Sequence, residues 1–221
     1  MLKVYIGVHL DGFVADTAFS LDLENNAENK ALIAAAETAL AETVALVCEK
    51  KTPSLHEIGT TIAKTLDSKG FQPIRNLSGH SIKLWDLHAG LTIPNYGNAQ
   101  DKLLESGTYA IEPFATLLTG SGMVRDGKPS GIYAIEKESP VRDTFARQIL
   151  AYIIEHYQTL PFCSRWLCKQ FGTRSLIALA LLEQAGVLHQ YAQLIEANGK
   201  KVVQAEHTII VAEKEVVVTT R

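Results

Sequence analysis

Apolar and polar positions alternate at both ends of this chain and follow a helical spacing in between. Val4, Ile6 and Val8 alternate with other residues, Asp11-Gly12 is a strong turn signal, and strand-like residues resume from Phe13 to Leu23. That pattern predicts a β-hairpin. From Asn29 to about Cys48 the chain is rich in Ala, Leu and Glu at helical spacing, which predicts a helix. Ser54 and Glu57, just behind Pro53, have the spacing of a capping box and open a second helix that Gly70 ends.

The section from Phe71 to Lys137 is richer in Gly and Pro, with short strands predicted at Tyr109 to Thr116 and Gly131 to Glu136. Pro140 suits the first turn of a helix reaching about Tyr157. Pro161 interrupts the pattern, and Arg174 to Gln184 reads as an apolar helix stopped by Gly186. The chain closes on strands at Gln193 to Glu196, Lys201 to Val211 and Glu215 to Thr220, with turns at Asn198-Gly199 and Glu213-Lys214. No internal repeat is visible. Strand-rich ends around a helical block predict an α+β domain carrying a small helical insert.

Composition narrows the class. With 221 residues, 47% of them apolar and 20% charged, the chain can bury a sizeable core and is not a disordered polymer. A net charge of −3 gives no reason to expect nucleic acid or an anionic membrane as partner. Arg142, Arg147, Arg165, Lys169 and Arg174 in the helical block are interleaved with Asp143, Glu155 and Glu183 instead of forming a basic stripe, which argues against a nucleic-acid module. No apolar run is expected to approach the roughly 18 residues of a membrane helix, and the opening residues lack a secretory pattern. Cys48, Cys163 and Cys168 form no CxxC pair, and their odd number suits free thiols in a reducing cytoplasm.

The informative residues are polar ones set inside apolar strand patterns. Asp16, Glu112 and Glu206 all sit this way. Any one of them alone could simply point outward from a half-exposed strand. Three buried carboxylates, however, need partners, and Arg75 is the only close basic candidate in the central segment. With His80 in Leu-Ser-Gly-His-Ser-Ile they point to a divalent ion held by oxygen and imidazole ligands, for which manganese, iron, cobalt and zinc all qualify. His88 is a second imidazole nearby, as readily structural as functional on its own.

These residues fall in recognisable motifs. Asn76-Leu-Ser-Gly-His80-Ser-Ile, Leu87-His88-Ala-Gly and Ile93-Pro94-Asn95 resemble the central signature of type II methionine aminopeptidases. Tyr109-Ala-Ile-Glu112-Pro-Phe-Ala and Val203-Gln-Ala-Glu206-His-Thr-Ile resemble the glutamate motifs of that family, and His9-Leu-Asp-Gly-Phe-Val-Ala-Asp16-Thr-Ala its aspartate hairpin. Thr159 to Trp166 resembles part of the helical insertion of type II enzymes. The resemblance implies a pita-bread fold over 1–137 and 192–221, with the insertion at 138–191. It implies one or two divalent ions held by Asp16, His80, Glu112 and Glu206, with Glu112 also shuttling a proton and His88 lining the substrate pocket. The implied reaction removes the N-terminal methionine of nascent polypeptides, and the implied partners are those chains, the ribosome, or a separate N-terminal segment.

Two departures shape the expectation. Tyr5 stands where the family has an aspartate serving the second ion, and a phenol with a pKa near 10 is a poor substitute, so one bound ion is expected. The family's region ahead of the hairpin has no counterpart here, which predicts an open sheet edge, an incomplete methionine pocket and slow cleavage. The alternative reading is a non-catalytic pita-bread protein that binds ribosomes or nascent chains.

Overall fold

The computed structural model describes residues 1–99 and 101–221, which divide into two compact units, Met1–Arg125 with Ile195–Arg221, and Asp126–Leu194. The second unit takes in 138–191, expected as the insertion, together with most of the strands that pair beside its helices.

The first unit opens with the predicted hairpin, β1 (Leu2–Leu10) and β2 (Phe13–Leu21), whose register sets Gly7 opposite Asp16. Asp11 and Gly12 make the turn with φ of 49° and 86°, the left-handed region that glycine adopts without strain. β2 stops at Leu21, short of Leu23, because the Asp22 carboxylate turns the chain by accepting the backbone N–H groups of Glu24 and Asn26. Asn26 then caps α1 (Ala27–Lys50), which starts ahead of the predicted Asn29. The capping box forms as predicted at the start of α2 (Leu55–Ser68): Ser54 Oγ accepts the Glu57 N–H and the Glu57 carboxylate accepts the Ser54 N–H.

One expectation needs correcting here. α1 is long and apolar enough, by length and composition, to cross a membrane, with a mean hydropathy of 1.7 over an 18-residue window. The run escapes a search for large apolar residues because alanine supplies much of it. Half of that window is buried, and Leu32, Ala35, Ala36 and Ala39 pack with Leu55, Ile58 and Ile62 of α2 in the core.

The chain continues as β3 (Phe71–Pro73), β4 (Ser78–Ile82), β5 (Thr92–Pro94), β6 (Gly107–Ile111), β7 (Phe114–Leu117) and β8 (Val124–Ile135). Next come α3 (Thr144–His156), β9 (Phe162–Cys163), α4 (Ser164–Phe171), α5 (Ser175–Gln184) and β10 (Leu188–Glu196). It ends with β11 (Val202–Gln204), β12 (His207–Val211) and β13 (Val216–Val218). A five-stranded sheet has the order β13-β12-β6-β4-β5, a three-stranded one β11-β7-β3, and another β10-β8-β9. In the second unit α3 begins at Thr144, not at Pro140, because the Asp143 carboxylate caps it by accepting the Ala146 N–H at 2.7 Å. Tyr133, Ile149, Ile153, Phe162 and Leu179 fill that unit's own core.

Two predicted strands are each broken in the same place. Tyr109 to Thr116 splits into β6 and β7 around Glu112-Pro113, where proline has no N–H for a ladder. Lys201 to Val211 splits into β11 and β12 around Ala205-Glu206. His207 pairs with Ile111 on one side of the break and Gln204 with Phe114 on the other. Both segments therefore step from one sheet to the next together. A glutamate stands at each step.

Candidate metal centre

The third wall of this step is β2. The Asp16 N–H donates to Thr208 Oγ1 at 2.8 Å, and the Thr208 hydroxyl donates to the Asp16 carbonyl at 2.7 Å. The Thr17 hydroxyl donates to the Glu206 carbonyl, and the Glu206 N–H donates to the Ala18 carbonyl. The hairpin is thereby locked in register against Gln204 to Thr208, which turns the Asp16 side chain toward Glu206. His80 enters from β4, paired through Ala110 with β6. One ligand atom from each of Asp16, His80 and Glu206 lies within 4.8 Å of the other two.

Glu112 adjoins this trio. Its Oε1 lies 3.4 Å from His80 Nε2, and its Oε2 accepts at 2.9 Å from the Gln204 amide, which also donates to Glu206 Oε2 at 3.2 Å. Gln204 had not stood out in the sequence, although the period of two along Gln204-Ala205-Glu206 carries the signal that both side chains face one way. It is the only side chain, among the described residues, with hydrogen bonds to both glutamates. Arg75, the basic candidate, instead sits near the Tyr96 ring, 5.9 Å from its centre.

Burial and mutual repulsion work against charge here. Burial first, and then the negative neighbours Glu206 and Asp16, push the Glu112 carboxyl well above its ordinary range. Burial and then Asp16 push Glu206 up to about 8, and burial raises Asp16 to about 6. His80 falls to about 4, from burial first and then from His88, whose ring lies 4.4 Å away edge-on. With His80 lowered and Glu112 raised, the 3.4 Å His80–Glu112 approach is a contact between neutral groups, not an ion pair. No lysine or arginine among the described residues pairs with the carboxylates, and Glu206 Oε1 has no hydrogen-bond partner. Three carboxylates and an imidazole that lack a protein cation, with an oxygen left over, fit a divalent ion of hard or borderline character.

Tyr5 pairs with Ala18 and so shares a face of the hairpin with Asp16. Burial, then Glu112, Glu206 and Asp16, push its phenol above the ordinary range, so it stays protonated beside them. His88, with His80, Glu112, Leu77, Leu91 and Phe114, lines a cavity of about 370 Å³ next to the carboxylates. Burial lowers the His88 pKa, and Asp86 opposes that shift.

Known proteins with related sequences and folds can be set beside this geometry. Residues 1–213 match the model of metallopeptidase family M24. The methionine aminopeptidase of Pyrococcus abyssi is 42% identical over 222 aligned positions, covering 99% of this chain and 73% of that protein. That of Methanocaldococcus jannaschii is 39% identical, covering 100% and 73%. Among solved structures, a thermophilic Arx1 superimposes with a TM-score of 0.77 at 15% identity, over 98% of this chain and 65% of that one. The methionine aminopeptidase of Thermotoga maritima gives 0.62 at 20% identity, over 99% and 63%. These two structural likenesses establish the pita-bread fold alone.

Proposed function

Because the chain belongs to metallopeptidase family M24 and, within it, to the methionine aminopeptidases, we propose that it removes the N-terminal methionine of newly made polypeptides in the cytoplasm. The observation that carries this reading is the meeting of Asp16, His80, Glu112 and Glu206 at one step between sheets, short of protein donors and of protein cations. Family membership implies a divalent ion, and those four side chains are the ones proposed to hold it. When bound, such an ion supplies a Lewis acid for the scissile carbonyl and lowers the pKa of water toward neutrality.

The side chains supply the rest. Glu112 Oε2 is fixed by the Gln204 amide while Oε1 faces His80, so one oxygen can take a proton from the attacking water and return it to the leaving amine. His88 lies on the cavity side of His80, where its imidazole can orient the substrate. Leu77, Leu91 and Phe114 give that cavity an apolar lining suited to a methionine side chain. Tyr5, neutral beside the carboxylates, supplies no charge for a second ion, which favours a single one.

The chain covers 73% of the length of its relatives, and we propose that it corresponds to their C-terminal, metal-holding part. The remaining length is then the proposed source of the rest of the methionine pocket. The non-catalytic alternative is not favoured, because identity near 40% extends over the whole chain and none of the four ligand types is lost.

The test is calorimetric binding of Mn²⁺, Co²⁺ and Zn²⁺ together with hydrolysis of a Met-Ala peptide by the ion-loaded chain. One ion per chain is expected, together with release of methionine from the peptide that depends on the ion. Equal ion affinity in the wild type and Glu206→Gln would remove the centre from the reading.

A further inference from the structure

Gln204 is an unusual choice for a buried strand position. It is 2% exposed, and its Oε1 is buried without a hydrogen-bond partner. An orphaned acceptor costs free energy that an apolar side chain of the same length would not. What the amide gains lies at its nitrogen, which donates to Glu112 Oε2 at 2.9 Å and to Glu206 Oε2 at 3.2 Å. An amide NH2 carries two donors, and here both directions lead to carboxylates.

The backbone holds that nitrogen in place. The Ser20 hydroxyl donates to the Gln204 carbonyl and accepts the Gln204 N–H, each at 3.0 Å. Gln204 also pairs with Phe114 in the β11–β7 ladder. Phe114 is two residues past Glu112, and Gln204 is two residues before Glu206. The amide is therefore anchored to both segments that step between sheets, on a strand and not on a loop.

The two hydrogen bonds sort the glutamate oxygens. Each glutamate gives its Oε2 to the amide and keeps its Oε1. Glu112 Oε1 lies 3.4 Å from His80 Nε2, and Glu206 Oε1 is buried with no partner. Because the NH2 group is planar, neither carboxylate can turn far about its last bond without losing an N–H donor. On the reading of this cluster as a metal centre, we propose that Gln204 is a positioning residue. It holds one oxygen of each glutamate so that Glu112 Oε1 and Glu206 Oε1 are presented to the divalent ion. Carboxylates ordered in advance lose less freedom when the ion binds.

Calorimetric titration with Mn²⁺ and Co²⁺ tests the assignment. Gln204→Met keeps the length of the side chain and removes both donors. It should weaken ion binding by at least about tenfold, the usual effect of losing a group that orients metal ligands. The visible absorption of the Co²⁺-loaded protein should change as well, because the released carboxylates can bind through both oxygens. The ion-free variant is expected to keep its circular dichroism spectrum, and Gln204→Leu serves the same purpose if it does not. In a Glu112→Gln background the loss caused by Gln204→Met should shrink, since the amide acts through that carboxylate. A role in packing alone would cost the same in both backgrounds. Unchanged affinity and absorption in the Gln204 variants, or equal losses in the two backgrounds, overturns the proposal. Glu206→Gln separates that outcome from failure of the centre itself. If Glu206→Gln loses the ion, only the role of Gln204 is wrong, and if it binds like the wild type, the centre and the proposal fall together.

Discussion

The first unit buries glutamates in two places and treats them in opposite ways. Glu196, at the end of β10, is 2% exposed and accepts from the Ser121 hydroxyl at 2.6 Å, the Ser121 N–H, and the N–H groups of Asn198 and Lys200 at 2.8 and 2.9 Å. Against the upward push of burial, those donors hold its pKa down at about 2. Glu206 is also 2% exposed, but it shares one amide with Glu112 and leaves an oxygen unpartnered, and its pKa rises to about 8. Surface exposure is equal, but Glu206 lies deeper and beside Asp16, so depth, like-charge neighbours and the lack of donors together separate the two. A carboxylate that fastens two turns together has its donors folded around it. One left short of donors, beside others of the same sign, is complementary to a cation that the polypeptide does not supply.

The largest effect should come from the donor-poor side. Glu112→Gln keeps the shape of the side chain but removes the base, and should lower hydrolysis of a Met-Ala peptide by roughly 10²–10⁴-fold, the usual contribution of a positioned acid–base group. The same change should leave the ion-free protein as stable as the wild type or more so, measured by thermal melting at pH 8, because it relieves repulsion. Glu196→Ala should do the reverse. It leaves three backbone N–H groups without their acceptor and should cost about 2–4 kcal/mol in urea melts while the ligand set stays intact. If Glu112→Gln proves the more destabilising of the two, the contrast between the sites is wrong.

The pH dependence sharpens the same point, since the two groups have opposite signs. Glu206 has a folded pKa of about 8 against an unfolded value near 4.5, so its folded form holds a proton that the unfolded chain releases. Its contribution is fully present below about pH 4.5 and is lost as pH rises through 8. Glu196, depressed to about 2, contributes above about pH 4.5 and loses that contribution as pH falls toward 2. The ion-free protein should thus weaken from pH 6 to pH 8, whereas Glu206→Gln should flatten that limb. A divalent ion must displace the protons held there, so its binding should release protons and its stabilisation should grow over the same interval. Melting curves with and without Mn²⁺ at pH 6 and 8 check both signs.

Much of this was legible in the residues and some was not. The hairpin, the capping box and the carboxylates at 16, 112 and 206 announce themselves locally, through alternation, a fixed spacing, and charge set in apolar runs. The breaks at Glu112-Pro113 and Ala205-Glu206 did not, although Pro113 offered a hint, because each run reads as a continuous strand until its partner across the step is known. Glu196 carried no signal of its role at all. Its donors come from Ser121, 75 residues earlier, and from a turn that reads as an ordinary Asn-Gly loop. Gln204 was invisible for the same reason: an amide between two glutamates has meaning only once both are in place.

The smallest effect is expected at Tyr5, and it bears on what makes a donor-poor site hold its charge. Tyr5 faces Asp16 and stays a neutral phenol among three carboxylates. Tyr5→Phe should leave ion affinity within a few-fold, since it removes no charge and no hydrogen bond seen in the structure. Tyr5→Asp adds a fourth carboxylate to a cluster already too negative to ionise freely. Without ions it should raise the neighbouring pKa values further and lower the melting temperature slightly at pH 8, because the residue is half exposed and water screens part of the repulsion. With ions present the added carboxylate becomes a ligand, so elemental analysis should show the ratio rise from one toward two per chain. The melting temperature gained on adding Mn²⁺ should exceed that of the wild type. Should the ratio stay at one while the ion-free protein weakens, the added charge lies too far from the centre to serve a second ion, and Tyr5 is then only a neighbour of the site.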